Sequence, residues 1–210
     1  MGKLILVRHC HTIMNTPAPH WRLRGWVDVP LDDQGFAEAI TTAQRIAQFP
    51  VESIYTSDLL RAKQTAESIR NATKAALVAT RDLRPWNLGR LGGEAVQDAL
   101  PLLDRLYDDP LKPAPGGESF REFYVRFSQL LWSLMDLAEK SSKCIVAVTH
   151  VRNLLACPTI ILGGDWTQIP VSGGPPLGSV IVVDQKEGGW VLSVNHNALH
   201  EIPHETPLTL

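Results

Sequence analysis

The chain has 210 residues, a length at which a single α/β domain is ordinary, so one folding unit with an insertion is expected. Its 20 Lys and Arg against 22 Asp and Glu leave a formal charge of −2, which excludes a general polyanion binder such as a nucleic-acid protein but allows a small anion held by a few arginines. Cys10, Cys144 and Cys157 lack CxxC spacing, Arg8 follows Met1–Val7 too soon for a secretory signal, and nothing approaches the roughly 18 apolar residues of a membrane span; a cytoplasmic location without membrane partners is expected.

Short β-branched apolar runs alternate with longer segments of helical period, the pattern of a sheet covered by helices. Lys3–Val7 reads as a buried strand. Gln34–Phe49 reads as a helix, with Phe36, Ala39, Ile40, Ala43, Ile46 and Ala47 three or four apart and Pro50 as its stop. Ser53–Thr56 is a short strand, Leu59–Ala72 a second helix capped by Ser57 or Asp58, and Leu77–Thr80 a third strand. From about 85 to 117 the rhythm breaks. Pro101, Pro110, Pro113 and Pro115 leave few regular runs, so this stretch reads as a cap over the carboxyl ends of the strands, where ligands bind in such sheets.

Phe120–Glu139 reads as an amphipathic helix with Phe123, Phe127, Leu130, Leu131, Leu134 and Leu137 on its apolar side. Cys144–Val148 is a buried strand. Val151–Ile161 looks helical, although Pro158 should bend or end it. Ser179–Asp184 and Trp190–Asn195 read as a hairpin across Gly188-Gly189, adding an antiparallel edge, and the tail beyond is polar and extended. The fold expected is α/β: a three-layer αβα arrangement in one domain, 1–210, with a mixed, mostly parallel sheet, helices on both faces and a small cap insertion at about 85–117.

The chemistry-bearing residues fall at strand-to-helix transitions. Val7-Arg8-His9-Cys10-His11-Thr12 follows the first strand; Ser57-Asp58-Leu59-Leu60-Arg61 follows the second; His150 follows Val146–Thr149. All three points should meet at one sheet edge. Arginine offers a planar fork of donors matched to phosphate oxygens, and a neutral imidazole is a competent nucleophile at phosphorus. Thr12 and Asn15 add neutral donors on the following turn.

These runs, in this order, resemble the histidine phosphatase superfamily, which includes the cofactor-dependent phosphoglycerate mutases. The carrying segments are Arg8-His9-Cys10-His11-Thr12-Ile13-Met14-Asn15, then Gly25-Trp26-Val27-Asp28-Val29-Pro30-Leu31 with Gly35 following. Ser57 to Ala66, Pro115 to Ser119, and the late strand ending at His150 complete the set. The resemblance implies that His9 attacks phosphorus and that Arg8, Arg61 and His150 hold the phosphoryl oxygens. Thr12 and Asn15 would assist binding, and water would hydrolyse the phosphohistidine. It implies a small phosphorylated substrate, no cofactor and no metal; a homodimer is left open. His9 should hold a free nitrogen while His150 serves as a cation.

Two departures stand out. Cys10 replaces the family's glycine and sets a thiol beside the nucleophile, either a passive small residue or an oxidant-sensitive one. Pro85 replaces the glutamate that serves as general acid, and Asn87 is neutral too. Candidate substitutes are Glu118, the preferred one, and Glu94, Asp28 and His11; Glu118 has an alternative as a partner at the start of the long helix. A substrate with a good leaving group would need no acid.

Trp26 and Trp86 read either as an aromatic substrate wall or as packing, and Arg152 as a substrate contact or a surface residue. Arg84, Arg90, Arg105, Lys112 and Arg121 suggest a second anion site or a solvated face. His196, His200 and His204 read as surface residues, not metal ligands, because Pro203 breaks their helical spacing. The expected function is a metal-independent phosphatase. A catalytically weak phosphate-binding member and a phosphoglycerate mutase-type transferase are the alternatives.

Overall fold

The computed structural model describes residues 2–16, 21–171, 173–186 and 189–195. The tail histidines and the turn between the last two strands lie outside these.

Six strands form one sheet: β1 (Leu4–Arg8), β2 (Val51–Ser57), β3 (Ala76–Thr80), β4 (Cys144–Thr149), β5 (Val180–Lys186) and β6 (Gly189–Asn195). Their order is β3-β2-β4-β1-β5-β6. The first four are mutually parallel, and β5 and β6 run antiparallel. Successive side chains of a strand point to opposite faces, and each face here is covered. Ile5 and Val7 of β1 join Ile54, Val146 and Val148 beneath α1 (Asp33–Ile46) and α2 (Leu60–Thr73). Leu4 and Leu6 join Ile145, Ala147 and Ile181 beneath α4 (Phe120–Lys140) and α5 (Val151–Ile161). Each such fully buried aliphatic side chain is worth about 1.5–3 kcal/mol, so the alternation along β1 and β4 fixes the three layers. Among the described residues no helix is long and apolar enough to cross a membrane.

Three details differ from the sequence reading. The cap stretch holds a full helix, α3 (Val96–Asp108), that runs through Pro101. Its buried stripe of Ala99, Leu103 and Leu106 outweighs the one backbone bond a proline removes. Pro158 likewise does not end α5, which continues to Ile161 with Ala156, Cys157 and Ile160 buried beside it. On α1 the buried face is Gly35, Ala39, Thr42, Ala43 and Ile46, while Phe36 and Ile40 face solvent.

The α2 cap is also different. Neither Ser57 nor Asp58 occupies the N-cap position, which falls on Leu59 without a side-chain bond. Asp28 reaches from the preceding loop instead, its Oδ1 accepting the Leu60 N–H at 2.6 Å. Asp58 is held by Arg84, whose Nε and Nη2 donate to it at 2.6 and 2.7 Å. Ser119 caps α4 in a reciprocal bond pair with Glu122.

Candidate active site

The register of the central strand pair builds the site. β1 and β4 pair in parallel with Arg8 opposite Thr149, so the next residues, His9 and His150, emerge side by side at the carboxyl edge. This edge is where strand order reverses around β1, the place a ligand crevice opens in such a sheet. The His9 N–H donates to the Thr149 carbonyl at 2.9 Å, locking the two exits together. The imidazole centroids lie 5.1 Å apart, and the residues are 1% and 2% exposed.

His9 Nδ1 sits 2.8 Å from the Cys10 carbonyl. A carbonyl only accepts, so Nδ1 carries the hydrogen and Nε2 keeps its lone pair. His150 bonds nothing: both its ring nitrogens are buried without a partner. An unsatisfied buried polar atom costs about 1–3 kcal/mol. A cavity wall that leaves such atoms open is shaped for a polar ligand.

Arg61 is 1% exposed at the start of α2. Its Nη1 donates to the Val27 carbonyl at 2.8 Å and its Nη2 to the Gly25 carbonyl at 2.9 Å, leaving Nε unpartnered. The loop that presents those carbonyls depends on Gly25. Its φ is +46°, and a Cβ there would meet Leu88 Cβ at 3.1 Å. The same loop carries the Asp28 cap, so one segment both starts α2 and aims Arg61.

His9, Arg61 and His150 line a single cavity of about 140 Å³, walled by Trp86, Leu103 and Tyr107 from the cap stretch. That is small beside the roughly 300–1,000 Å³ of drug-sized sites, and suits a phosphoryl group with a compact remainder. A larger open groove of about 890 Å³ runs along α4 past Arg121 and Gln129. It contains none of these residues, so the chemistry belongs to the smaller cavity.

Arg8 stands beside the cavity without lining it. Its Nη1 donates to the Pro175 carbonyl and its Nε is buried and unpartnered. Sequence reasoning passes over a fourth arginine, Arg24, which does line the cavity. Segment 21–24 pairs with segment 93–96 of the cap, through Leu23 N–H to Glu94 O at 2.9 Å and Gly93 N–H to Leu23 O at 2.7 Å. That pairing folds Arg24 inward. The available signal was a cation directly before the Gly25-Trp26-x-Asp28 run. Arg152 also lines the cavity, but its Nη1 and Nη2 are spent on the carbonyls of Pro170 and Val171, at 2.7 and 3.0 Å, while it covers the Tyr107 ring.

Several sequence expectations need correction. Thr12 and Asn15 do not line the cavity; the Thr12 hydroxyl donates to Asn15 Oδ1 at 2.8 Å, and the pair closes its own turn. Glu118 is not in the cavity either. Its Oε1 accepts from Arg126 Nη2 at 2.7 Å and from the Asn87 N–H at 2.8 Å, so it tethers α4 to the cap. Asp28 caps α2, and Glu94, paired here through its backbone, does not line the cavity. His11 Nδ1 is 2.7 Å from Asp32 Oδ2, and Asp32 in turn caps α1. Of the two tryptophans, Trp86 lines the cavity with its Nε1 donating to the Glu118 carbonyl at 2.8 Å. Trp26 lies outside it, within cation–π range of Arg81, Arg84 and Arg126.

Cys10 is fully buried at the foot of α1, its Sγ 3.9 Å from Thr42 Oγ1, and burial raises its pKa to about 11. A buried, protonated thiol is a poor target for oxidants, which favours the passive small residue of the two readings. Its φ is not positive, so the turn does not require glycine.

The cavity lining is electrostatically unbalanced. Burial pulls Arg8 and Arg24 down to about 10, and Arg61 to about 9; all stay cationic at neutral pH. His9 is pushed well below its usual range by burial and then by Arg61, Arg24 and Arg8. His150 is pushed the same way by burial, Arg61, His9, Arg24 and Arg8. Contrary to the sequence expectation, both imidazoles are neutral until an anion arrives. Among the described residues no carboxylate lines the cavity.

Comparison with known proteins fits this geometry. The profile of the histidine phosphatase superfamily, branch 1, matches residues 4–197. Phosphoglycerate mutase-like protein 4 of Arabidopsis thaliana is 30% identical over 157 residues, covering 71% of this chain and 66% of that one. A probable phosphoglycerate mutase of Erwinia tasmaniensis is 29% identical over 203 residues, covering 92% and 89%. A mycobacterial glucosyl-3-phosphoglycerate phosphatase solved with vanadate shares the fold at TM-score 0.77 and 24% identity, covering 92% of this chain and 98% of its own. A phosphoserine phosphatase of Entamoeba histolytica, solved with 3-phosphoglyceric acid, also aligns at TM-score 0.77 and 24% identity, covering 94% and 98%. On the strength of the profile match across nearly its whole length, the chain belongs to the histidine phosphatase superfamily.

Proposed function

We propose that this chain is a metal-independent phosphatase of small phosphorylated substrates, with His9 as the nucleophile. The observation that carries the reading is the His9 tautomer, with Nδ1 tied to the Cys10 carbonyl and Nε2 bare in a cavity ringed by unpartnered donors. Nε2 attacks phosphorus and the bond to the leaving oxygen breaks. Arg61, His150 and the nearby Arg8 charge stabilise the oxygens as negative charge builds. Such preorganised electrostatics is usually the largest catalytic contribution. Water then attacks the phosphohistidine, the electron pair of the N–P bond returns to Nε2, and phosphate departs. A lining of guanidiniums and imidazoles with no carboxylate does the charge neutralisation for which other phosphatases recruit divalent cations, and repels such cations. The buried, unbonded thiols support a cytoplasmic setting.

With 4-nitrophenyl phosphate in excess chelator, the wild type should turn over and His9→Ala should fall to background. Chelator-sensitive activity that survives His9→Ala would sink the reading. The lack of a lining carboxyl favours, as a second reading, an anion-binding member of low turnover. That reading predicts thermal stabilisation by vanadate with background turnover on every ester. The mutase-named relatives add one control: isomerisation of 3-phosphoglycerate faster than phosphate release, with a bisphosphate primer, would move the assignment to a mutase.

A further inference from the structure

A phosphatase must deal with the charge that collects on the leaving oxygen, and among the described residues no carboxylic acid lines this cavity to protonate it. Pro85 lines the wall, its own carbonyl taken by Trp26 Nε1 at 2.8 Å. Glu118 and Asp28 are committed elsewhere, and Glu94 does not line the cavity. Among the described residues Tyr107 is the one lining hydroxyl, and burial raises its pKa further from the neutral range where a general acid works best.

What the cavity offers instead is Arg24. Among the described residues its side chain has no carboxylate partner, and the one hydrogen bond the guanidinium makes is a long one, Nη1 to the Met14 carbonyl at 3.5 Å. It is close enough to Arg8, His9, Arg61 and His150 to act electrostatically on all four. It enters the lining from the loop segment that pairs with residues 93–96 of the cap, whereas His9 and His150 follow the strand ends.

Resting on the phosphatase reading above, we infer that Arg24 receives the leaving group as an anion, and that the substrates are therefore acyl or aryl phosphates rather than alkyl phosphate esters. His9 Nε2 forms its bond to phosphorus while the P–O bond breaks. The electron pair of that bond stays on the departing oxygen, which leaves unprotonated as a carboxylate or phenolate beside the Arg24 guanidinium. No proton enters until water attacks the phosphohistidine; its two protons leave with the phosphate as dihydrogen phosphate, and His9 regains its bare Nε2. The apolar wall of Leu23, Trp86, Leu88 and Leu103 receives the body of the leaving group.

The test is a leaving-group series of substituted phenyl phosphates from dinitrophenyl to phenyl, with acetyl phosphate and a simple alkyl phosphate alongside. For the wild type, kcat/KM should fall steeply as the leaving group becomes more basic, with the alkyl ester about 10²–10⁴-fold below the activated substrates, the span a missing general acid leaves. Arg24→Gln should lower kcat/KM about 10²–10³-fold, as loss of an oxyanion donor does, and steepen the slope because basic leaving groups lose most. Pro85→Glu should raise alkyl-ester turnover and flatten the slope.

A shallow wild-type slope would overturn the inference by revealing a proton donor. So would an equal loss across the series in Arg24→Gln, since that pattern means the guanidinium holds only phosphoryl oxygens. No turnover of acetyl or dinitrophenyl phosphate, with His9 unphosphorylated, would overturn the phosphatase reading itself.

Discussion

Filling the cavity with a dianion should draw a proton from solvent onto His150. In the empty site burial and three guanidiniums hold both imidazoles neutral. A unit charge at about 4 Å in an effective dielectric near 20 is worth about 4 kcal/mol, which at 1.36 kcal/mol per unit is a rise of about three pKa units for each unit of charge. His9 keeps its hydrogen on Nδ1 and offers Nε2, so the orphaned nitrogens of His150 are where the proton goes. Sulfate is the clean probe because it keeps both charges from about pH 6 to 8, while the imidazole titrates in that window.

Calorimetry in two buffers of different ionisation heat should report uptake of about one proton per sulfate near pH 7. Affinity should weaken up to about tenfold per pH unit as pH rises. His150→Gln should abolish the uptake. Binding without proton exchange and without pH dependence would refute the electrostatic reasoning, and uptake that persists in His150→Gln would move the titrating group to His9.

Four further outcomes follow from the same contacts. With both histidine pKa values depressed, the unfolded chain binds more protons below about pH 6.5. Stability of the empty protein should therefore fall by up to about 2.7 kcal/mol per pH unit on acidification from that point, as read by urea unfolding, and sulfate should blunt the loss. Asp28→Ala removes the α2 cap and should cost about 1 kcal/mol of stability while lowering kcat, because the same loop holds Arg61. Glu118→Gln breaks the Arg126 pair and should cost on the order of 1 kcal/mol, with kcat within a few-fold of wild type; a loss near 10³-fold would restore Glu118 as the acid. Cys10 should resist alkylation and peroxide in the native state, and rapid modification with loss of activity would contradict its burial.

The sheet and the His9–Arg61–His150 cluster were legible because strand-to-helix exits are local signals, and parallel pairing converts them into neighbours at one edge. The residues misread lie where tertiary pairing decides. Thr12 and Asn15 had the right chemistry but satisfy each other. Glu118, just ahead of α4, met Arg126 about two turns into that helix rather than the cavity. Arg24 gave no periodic signal, since only the pairing of its loop with residues 93–96 turns it inward. In α3 four prolines nearby disguised an ordinary amphipathic stripe, and in α1 the close approach of Gly35 to the His11 carbonyl goes with a buried face that excludes Phe36 and Ile40.

The most direct measurement is rapid-quench mass spectrometry of the protein mixed with dinitrophenyl phosphate in chelator. One phosphoryl group, acid-labile and base-stable, should appear on His9 together with a stoichiometric burst of dinitrophenolate, and both should vanish in His9→Ala. Turnover with His9 never phosphorylated, or unchanged in His9→Ala, would contradict the assignment of this imidazole as the nucleophile.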